Sequence, residues 1–492
     1  MTHLPPGETA PARERPGRSP RRLAWLVTLI AVLVAASYFG FQTWARSLDG
    51  EPIEATANGL QVGPLTERTE LRSLPTTVGT ADAKDVWPNL FGPQHNSEAP
   101  DVERTPAPWP EDGPRELWRV PSGAGYSSPI VWGDTVIHCE RVDDEELVIA
   151  LALDDGQPRW EHRYRTDFVC GSHYTNGPYA TPATDGELVF TLGASGQLHC
   201  LRLADGEVVW HRDLASEFQV ATEIFGMGHS PLLWGDKLIL NVGGAVPDSG
   251  VIAFDKRTGD IIWQATDDRF SYATPQPARI HDRDWLFVLT RSGLVLLDPE
   301  TGSEQWTIPY LCKMPDAYAA VTPLVHGDVV MISILGTGTK AIRVLPDGKY
   351  EELWESKRNL TSQYTPLICV DGFVYGVHAL DNSFRCVDLL SGELKWRWKS
   401  DLQNCKAIRV GSRLVLFGEY GHLGLIDLNP EQLVQHSLTA QSMLADDSRC
   451  YSAPALAGDR LLLRNESALV CVQLPPISPT GSLGSDSEVA AR

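Results

Sequence analysis

An all-β fold, an eight-bladed β-propeller of four-stranded antiparallel sheets, is the architecture the sequence predicts, on three observations. One motif recurs eight times between Ser122 and Leu474: a small residue and proline, a Gly/Asp turn, two apolar runs, a second Gly turn, then tryptophan. Self-similarity at a period of roughly 40–50 residues marks an array, and four-stranded propeller blades fall in that range. The composition agrees, with 15 Trp and 42 Gly suiting many short strands joined by tight turns rather than long helices. The tally also closes: the eighth copy has three strands before it ends at Leu474, and Glu116-Leu117-Trp118-Arg119-Val120, ahead of the first blade, supplies a fourth. An N-terminal strand that closes the ring removes the open edges of an unfinished array.

The N-terminus comes first in the chain. Residues 1–22 carry five arginines against two glutamates and are read as a disordered cytoplasmic tail. Leu23–Trp44 is uncharged and mostly apolar, long enough to span a bilayer, with Tyr38, Phe39, Phe41 and Trp44 at its far end. Basic residues before it place the N-terminus inside, and no small-x-small cleavage site follows, so the expectation is one uncleaved transmembrane helix. The chain is thereby assigned to the cytoplasmic membrane as a single-pass protein, with its body on the periplasmic side. Residues 45–85 are read as a flexible linker, 86–474 as the propeller and 475–492 as a disordered tail.

Within the body, inner strands are expected to begin near Ser128-Pro129, Thr181-Pro182, Ser230-Pro231, Thr274-Pro275, Thr322-Pro323, Thr365-Pro366, Lys406-Ala407 and Ala453-Pro454. Proline is tolerated at the first residue of a strand, where its missing N–H does no harm. Gly/Asp pairs such as Gly133-Asp134 and Asp371-Gly372 then supply the hairpin twist. Trp118, Trp160, Trp210, Trp263, Trp306, Trp354 and Trp396 fall on the outer strands, each placed to lie against the adjacent blade. The seventh blade has lost this motif: Asn429-Pro430 stands at the turn and His436 near the tryptophan position.

Nine cysteines and no CxxC spacing argue against a thiolate metal site. Aligned on the turn glycine, Cys200, Cys386 and Cys471 share a column with Ala150, Ala253, Leu296 and Ile342, so they are read as core, as are Cys139 and Cys369. Cys170, Cys312, Cys405 and Cys450 fall in or near inter-blade loops, where a disulfide is open.

These residues resemble the tryptophan-docking repeat of PQQ (quinoprotein) β-propellers, from Trp87 to about Leu474. That group includes PQQ-dependent alcohol dehydrogenases and the non-enzymatic BamB-like lipoproteins. Trp87–Pro93, Trp109-Pro110 and Gly113–Trp118 are similar to the leader of planctomycete-type PQQ-like repeat proteins. The resemblance implies that a quinoprotein dehydrogenase would carry adjacent cysteines, a Glu/Asn/Asp set for calcium and an aspartate base. This chain has no Cys-Cys pair and no DxDxDG-like cluster. Asp143-Asp144-Glu145-Glu146 is read as a solvated hairpin tip, and Asp446-Asp447 likewise. GxSxG, HExxH and GxxxxGK[ST] are also absent.

The net charge is −21, and about −24 once the basic tail is set aside, which excludes nucleic acid as a natural partner. Tyr126, Tyr179, Tyr272, Tyr364 and Tyr451, with His229 in a related position, immediately precede the inner strands and should surround one mouth of the central channel. Two readings stand for them: a partner- or ligand-binding ring, or rings packing over neighbouring turns. His173 and His229 are expected as partly exposed loop histidines. The sequence is therefore read as a non-catalytic protein-interaction scaffold for envelope or membrane proteins, with no cofactor or metal expected. The alternatives are a membrane-bound dehydrogenase using PQQ with calcium, and a propeller binding a carbohydrate or other small ligand in its central funnel.

Overall fold

The chain divides into two units, residues 1–67 and 68–492. The computed structural model describes residues 85–100, 105–172, 174–221, 225–313, 319–444 and 448–476, all in the second unit. The apolar segment 23–44 read as a membrane helix lies outside them, as do His173 and Asp446-Asp447. Among the described residues no helix is long and apolar enough to cross a membrane.

Eight antiparallel sheets follow one another along the chain, and the predicted propeller is the fold observed. Blade 1 runs Ile130–Trp132, Thr135–Val142, Glu145–Ala152, Pro158–Arg165, from channel to rim. Blades 2 to 7 repeat that meander from inner strands at Ala183–Thr184, Leu232–Trp234, Gln276–Ile280, Leu324–His326, Ile368–Val370 and Lys406–Val410. Blade 8 has Ala455–Ala457, Arg460–Arg464 and Ala468–Gln473, and Arg115–Pro121 is its outer strand, with Trp118 opposite Cys471.

Neighbouring blades lock together through indole and glycine. Trp160 Nε1 donates to Leu203 O (2.8 Å), Trp210 to Lys256 O (3.0 Å), Trp263 to Pro299 O (3.1 Å), Trp354 to Leu389 O (2.8 Å). Trp118, Trp306 and Trp396 do the same to Leu153 O, Gly348 O and Asn429 O. Each acceptor lies in the next blade's outer turn. The indole faces then explain the turn glycine. A Cβ on Gly302 would stand 2.6 Å from the Trp263 ring, and one on Gly206 2.4 Å from Trp160. The φ of +72° at Gly302 is a second reason for glycine.

Each outer strand shifts register by a bulge beside the tryptophan, setting the indole opposite Ala150, Cys200, Ala253, Leu296, Ala341, Cys386 or Cys471. In blade 5 the facing residue is Ala341, not Ile342, because its turn glycine stands six residues before Trp354 instead of four.

The channel side carries a second lock. Ser128 N donates to Thr181 Oγ1, Thr181 N to Ser230 Oγ, Ser230 N to Thr274 Oγ1 and Thr274 N to Thr322 Oγ1, at 2.9–3.2 Å. Ala453 N donates to Ser128 Oγ (2.7 Å) across the closing seam. The hydroxyls before the inner-strand prolines thus hold five consecutive seams.

The leader before the ring is built into it. Val86 and Trp87 add a fifth strand to the inner edge of blade 1. Pro88 O then accepts from Thr184 N, and His95 O from Gln276 Nε2. Residues 97–99 pair with Arg409 of blade 7, joined by Glu98–Arg409 at 3.2 Å. One end of the channel is therefore occupied by the chain's own leader. Trp109, 5% exposed, packs in the core shared by blades 7 and 8, its backbone tied to Ser437 Oγ. It fills the seam where blade 7 lacks a tryptophan, since His436 turns back to Asp427 of its own blade (2.6 Å).

One expectation is corrected, and the open disulfide question is answered. Glu146 is no solvated tip: it is buried, accepting from Tyr164 Oη (2.6 Å) and Ala194 N (3.1 Å), because the hairpin leans onto blade 2. All nine cysteines are free, so the loop cysteines form no disulfide.

Trp263→Ala should cost about 3–5 kcal/mol in urea unfolding, the usual range for emptying an aromatic site. Gly302→Ala should destabilise as well, by at least about 1 kcal/mol, from the φ and the indole contact. A Gly302→Ala protein as stable as the parent would contradict the docking described.

Candidate functional site

Outer strands finish, and inner strands begin, at the same end of the propeller, so every connection between blades reaches that mouth of the channel. The six residues singled out from the sequence all lie there, and they form one aromatic crown. Tyr364 meets Tyr451 at 5.2 Å between ring centroids, Tyr451 meets Tyr126 at 4.7 Å, and Tyr126 meets Tyr179 at 5.6 Å. Tyr174 and Phe225 complete the link: Tyr174 stacks edge-on to Phe225 (5.3 Å), and Phe225 to Tyr272 (6.0 Å). Phe270 joins Tyr272 to His229. Edge-to-face separations of this size are favourable aromatic packing.

The tyrosine hydroxyls are partly committed. Tyr179 Oη donates to Thr175 O (2.6 Å), and Tyr126 Oη accepts from Thr175 N (3.2 Å). Each crown tyrosine stays half-buried. Packing over a neighbour and presenting a surface are thus both true of these rings.

His229 is not a partly exposed loop histidine. It is fully buried, neither ring nitrogen has a partner among the described residues, and burial lowers its pKa to about 3. It stands in the fold as a neutral ring against Phe270.

Blade 7 contributes the residue that the sequence reading passed over. Where blades 1 to 6 carry Ser or Thr before the inner strand, and blade 8 Ala453, it carries Lys406, 2% exposed. Lys406 Nζ donates to Cys450 O (2.6 Å) and lies 5.3 Å from the Tyr364 centroid and 5.4 Å from that of Tyr451. The ammonium is therefore held by two aromatic faces. Beside it Glu419, also buried, accepts from Asn404 Nδ2 (3.1 Å) and pairs with Arg449 at 3.1 Å, while Arg449 donates to Tyr451 Oη (2.8 Å). The signal for Lys406 was present as a departure from the Ser/Thr-Pro column. Tyr174 and Phe225 sit in loops without repeat phase, so nothing marked them.

Burial lowers the Lys406 pKa to about 8, against opposing effects of Cys450, Glu419 and Cys405. Among the described residues, no three His, Cys, Asp or Glu side chains are placed to hold a metal ion.

A family model described as outer membrane protein assembly factor BamB matches residues 144–398. Among solved structures, BamB from Moraxella catarrhalis aligns with a TM-score of 0.52 at 16% identity, over 73% of this chain and 97% of its own. Quinohemoprotein alcohol dehydrogenase from Comamonas testosteroni gives 0.54 at 12%, over 80% and 81%. The related enzyme ADHIIG from Pseudomonas putida HK5 gives 0.55 at 11%, over 83% and 82%. At such identities the likeness shows the fold alone. No curated protein matches the sequence.

Because the folded pKa of Lys406 lies below its unfolded value of 10.5, the folded state holds fewer protons between pH 8 and 10.5 and gains stability as pH rises through that window. Below pH 8 the buried charge exerts its full cost. Lys406→Met should accordingly stabilise the protein at pH 7 by about 2 kcal/mol, at about 1.4 kcal/mol per pKa unit less about 1 for the carbonyl left without a donor. Thermal melts at pH 7 and pH 10.5 check this: the gain should shrink at the higher pH, and a destabilised variant at pH 7 would refute it.

Proposed function

This chain belongs to the family described as outer membrane protein assembly factor BamB, and on that premise we propose that it is a non-catalytic protein-interaction scaffold of the cell envelope. In this reading Leu23–Trp44 anchors it in the cytoplasmic membrane, and the crown of the propeller faces its partners on the periplasmic side. One observation carries the reading. Both ends of the channel are taken up by the chain itself, the leader at one and contacting aromatic rings at the other. What the crown offers is a surface of half-buried tyrosines, each an apolar face with a polar tip, and such rings suit protein contact. They are also set on a rigid frame, which lowers the ordering cost of binding.

The test is chemical cross-linking in intact membranes followed by recovery of the full chain. Tyr272→Ala with Tyr364→Ala should reduce the recovered partner about ten-fold, as loss of central aromatic anchors does, with the melting temperature held within a few degrees. In parallel, the purified protein is given PQQ and calcium with alcohols or sugars. Dye reduction there would replace the scaffold with a dehydrogenase, and unaltered capture by the double variant would remove the crown as the docking surface.

A further inference from the structure

Three imidazoles stand stacked in the seam between blades 1 and 2, outside the crown. His162 lies on the outer strand of blade 1, and its ring meets that of His199 at 5.0 Å between centroids. His199, on the third strand of blade 2, faces His211 of the outer strand across one antiparallel pair, at 4.4 Å. Tyr164, two residues on from His162, covers His199 at 4.3 Å. His199 is 5% exposed, and its Nδ1 and the Nε2 of His162 are enclosed without a partner among the described residues. Of the three, only His211 is exposed, its Nε2 donating to Gln197 Oε1 (2.6 Å).

The groups around the stack leave it no counter-charge of its own. Glu146 stands behind Tyr164 with both oxygens taken, by Tyr164 Oη and Ala194 N, and with Arg141 beyond it. Cys139 also lies beside Tyr164, and Asp213 beside His211. Val148 and Thr191 are the neutral residues paired with His162 and His199 on the adjoining strands. Arg163 bridges Glu161 and Glu145 on the opposite face of the blade 1 strand.

Burial, and then the neighbouring His211 and His162, hold the His199 pKa down at about 3; burial and His211 lower that of His162. The closed seam therefore refuses protons that an open one accepts near the ordinary 6.5. The stability these two rings give is full above about pH 6.5 and is lost as pH falls towards their folded values. Glu146 acts oppositely, since burial raises its pKa, but it is one carboxyl against two imidazoles. The seam also holds part of the crown. The connection to blade 2 leaves directly from Tyr164-Arg165 and carries Tyr174 and Tyr179. Arg141, on the same hairpin as Glu146, ties that connection down through Phe168 O and Asn176 O at 2.5 and 3.0 Å.

We propose that the histidine stack is an acid-sensitive latch. While its rings are neutral it closes the seam; protonated, it parts blades 1 and 2 between the Trp160 dock and the crown, freeing the connection that carries Tyr174 and Tyr179. Like charges at stacking distance repel, and neither enclosed nitrogen has an acceptor for an added proton. Opening one seam locally costs less than unfolding the ring. The latch goes beyond the scaffold reading and stands whatever the crown binds.

Hydrogen–deuterium exchange on the full chain in uncharged detergent, corrected for intrinsic rates, tests it at pH 7 and pH 5. Each imidazole that gains its proton only on opening multiplies the opening constant by about twenty over that interval, and Glu146 takes back about one such factor. Peptides covering residues 161–180 and 197–201 should therefore lose about twenty-fold in protection, and regain it on return to pH 7. Peptides covering Ile261–Ala265, where Trp263 docks on Gly302, should keep theirs. His199→Phe should abolish the acid loss without lowering protection at pH 7, whereas a merely structural role would lower protection at both. His162→Gln should do the same, and serves where the first variant does not fold. Unchanged protection at pH 5 overturns the proposal, as does a loss that survives both substitutions. So does a loss spread evenly over all eight blades, which titration of His95, His138, His229 and His378 throughout the body would give.

Discussion

The indole of one blade resting on the turn glycine of the next is the contact from which this architecture follows. A blade alone has two apolar faces and cannot bury both. Docking Trp263 over Gly302, with its N–H on Pro299 O, fixes the distance and tilt of blade 4 against blade 3. Burying an aromatic of that size stabilises by several kcal/mol, at about 25 cal/mol per Å². Repetition of that step, with the Ser/Thr hydroxyls fixing the channel side, fixes the ring and so the place of every connection. The crown exists because the frame brings the connections between blades to one mouth.

That frame also accounts for what the sequence made legible. A residue whose job is to dock on a copy of itself must recur, so the tryptophans, turn glycines and strand prolines could be counted, and Trp118 could be matched to the incomplete eighth blade. The crown tyrosines were visible for a related reason, since they sit at a fixed offset from the prolines. Leader residues were not visible as channel lining. Val86-Trp87 pairs through backbone atoms with Val131 and Trp132, and no side-chain pattern announces such pairing. Glu146 and His229 were misplaced because their polarity suggested solvent, whereas Tyr164 and Ala194 satisfy the one and a pocket beside Phe270 encloses the other.

Blade 7 is where the repeat lapses on every count. Its outer strand has His436 for tryptophan, its turn has Asn429-Pro430, and its inner strand opens with Lys406. The first lapse is repaired from outside: Trp109 of the leader occupies the seam, and its backbone binds Ser437. Asn429 still serves as acceptor for Trp396 (2.8 Å), so blade 6 docks normally. The array therefore tolerates loss of its motif in one blade provided another segment restores the buried contact.

No such repair is made for Lys406. A threonine there would match blade 6 and need no desolvated charge; the lysine instead stands under two tyrosine rings with one carbonyl acceptor. Local conflict of this kind, in a frame otherwise consistent with itself, is the pattern expected of a position kept for what it does rather than for folding. Trp109 makes the contrast sharp. Where blade 7 lost a packing contact, the chain supplied a substitute, and where it gained a buried cation, the described carboxylate beside it, Glu419, is paired with Arg449. The stability left unrecovered is concentrated at the one surface the ring makes available.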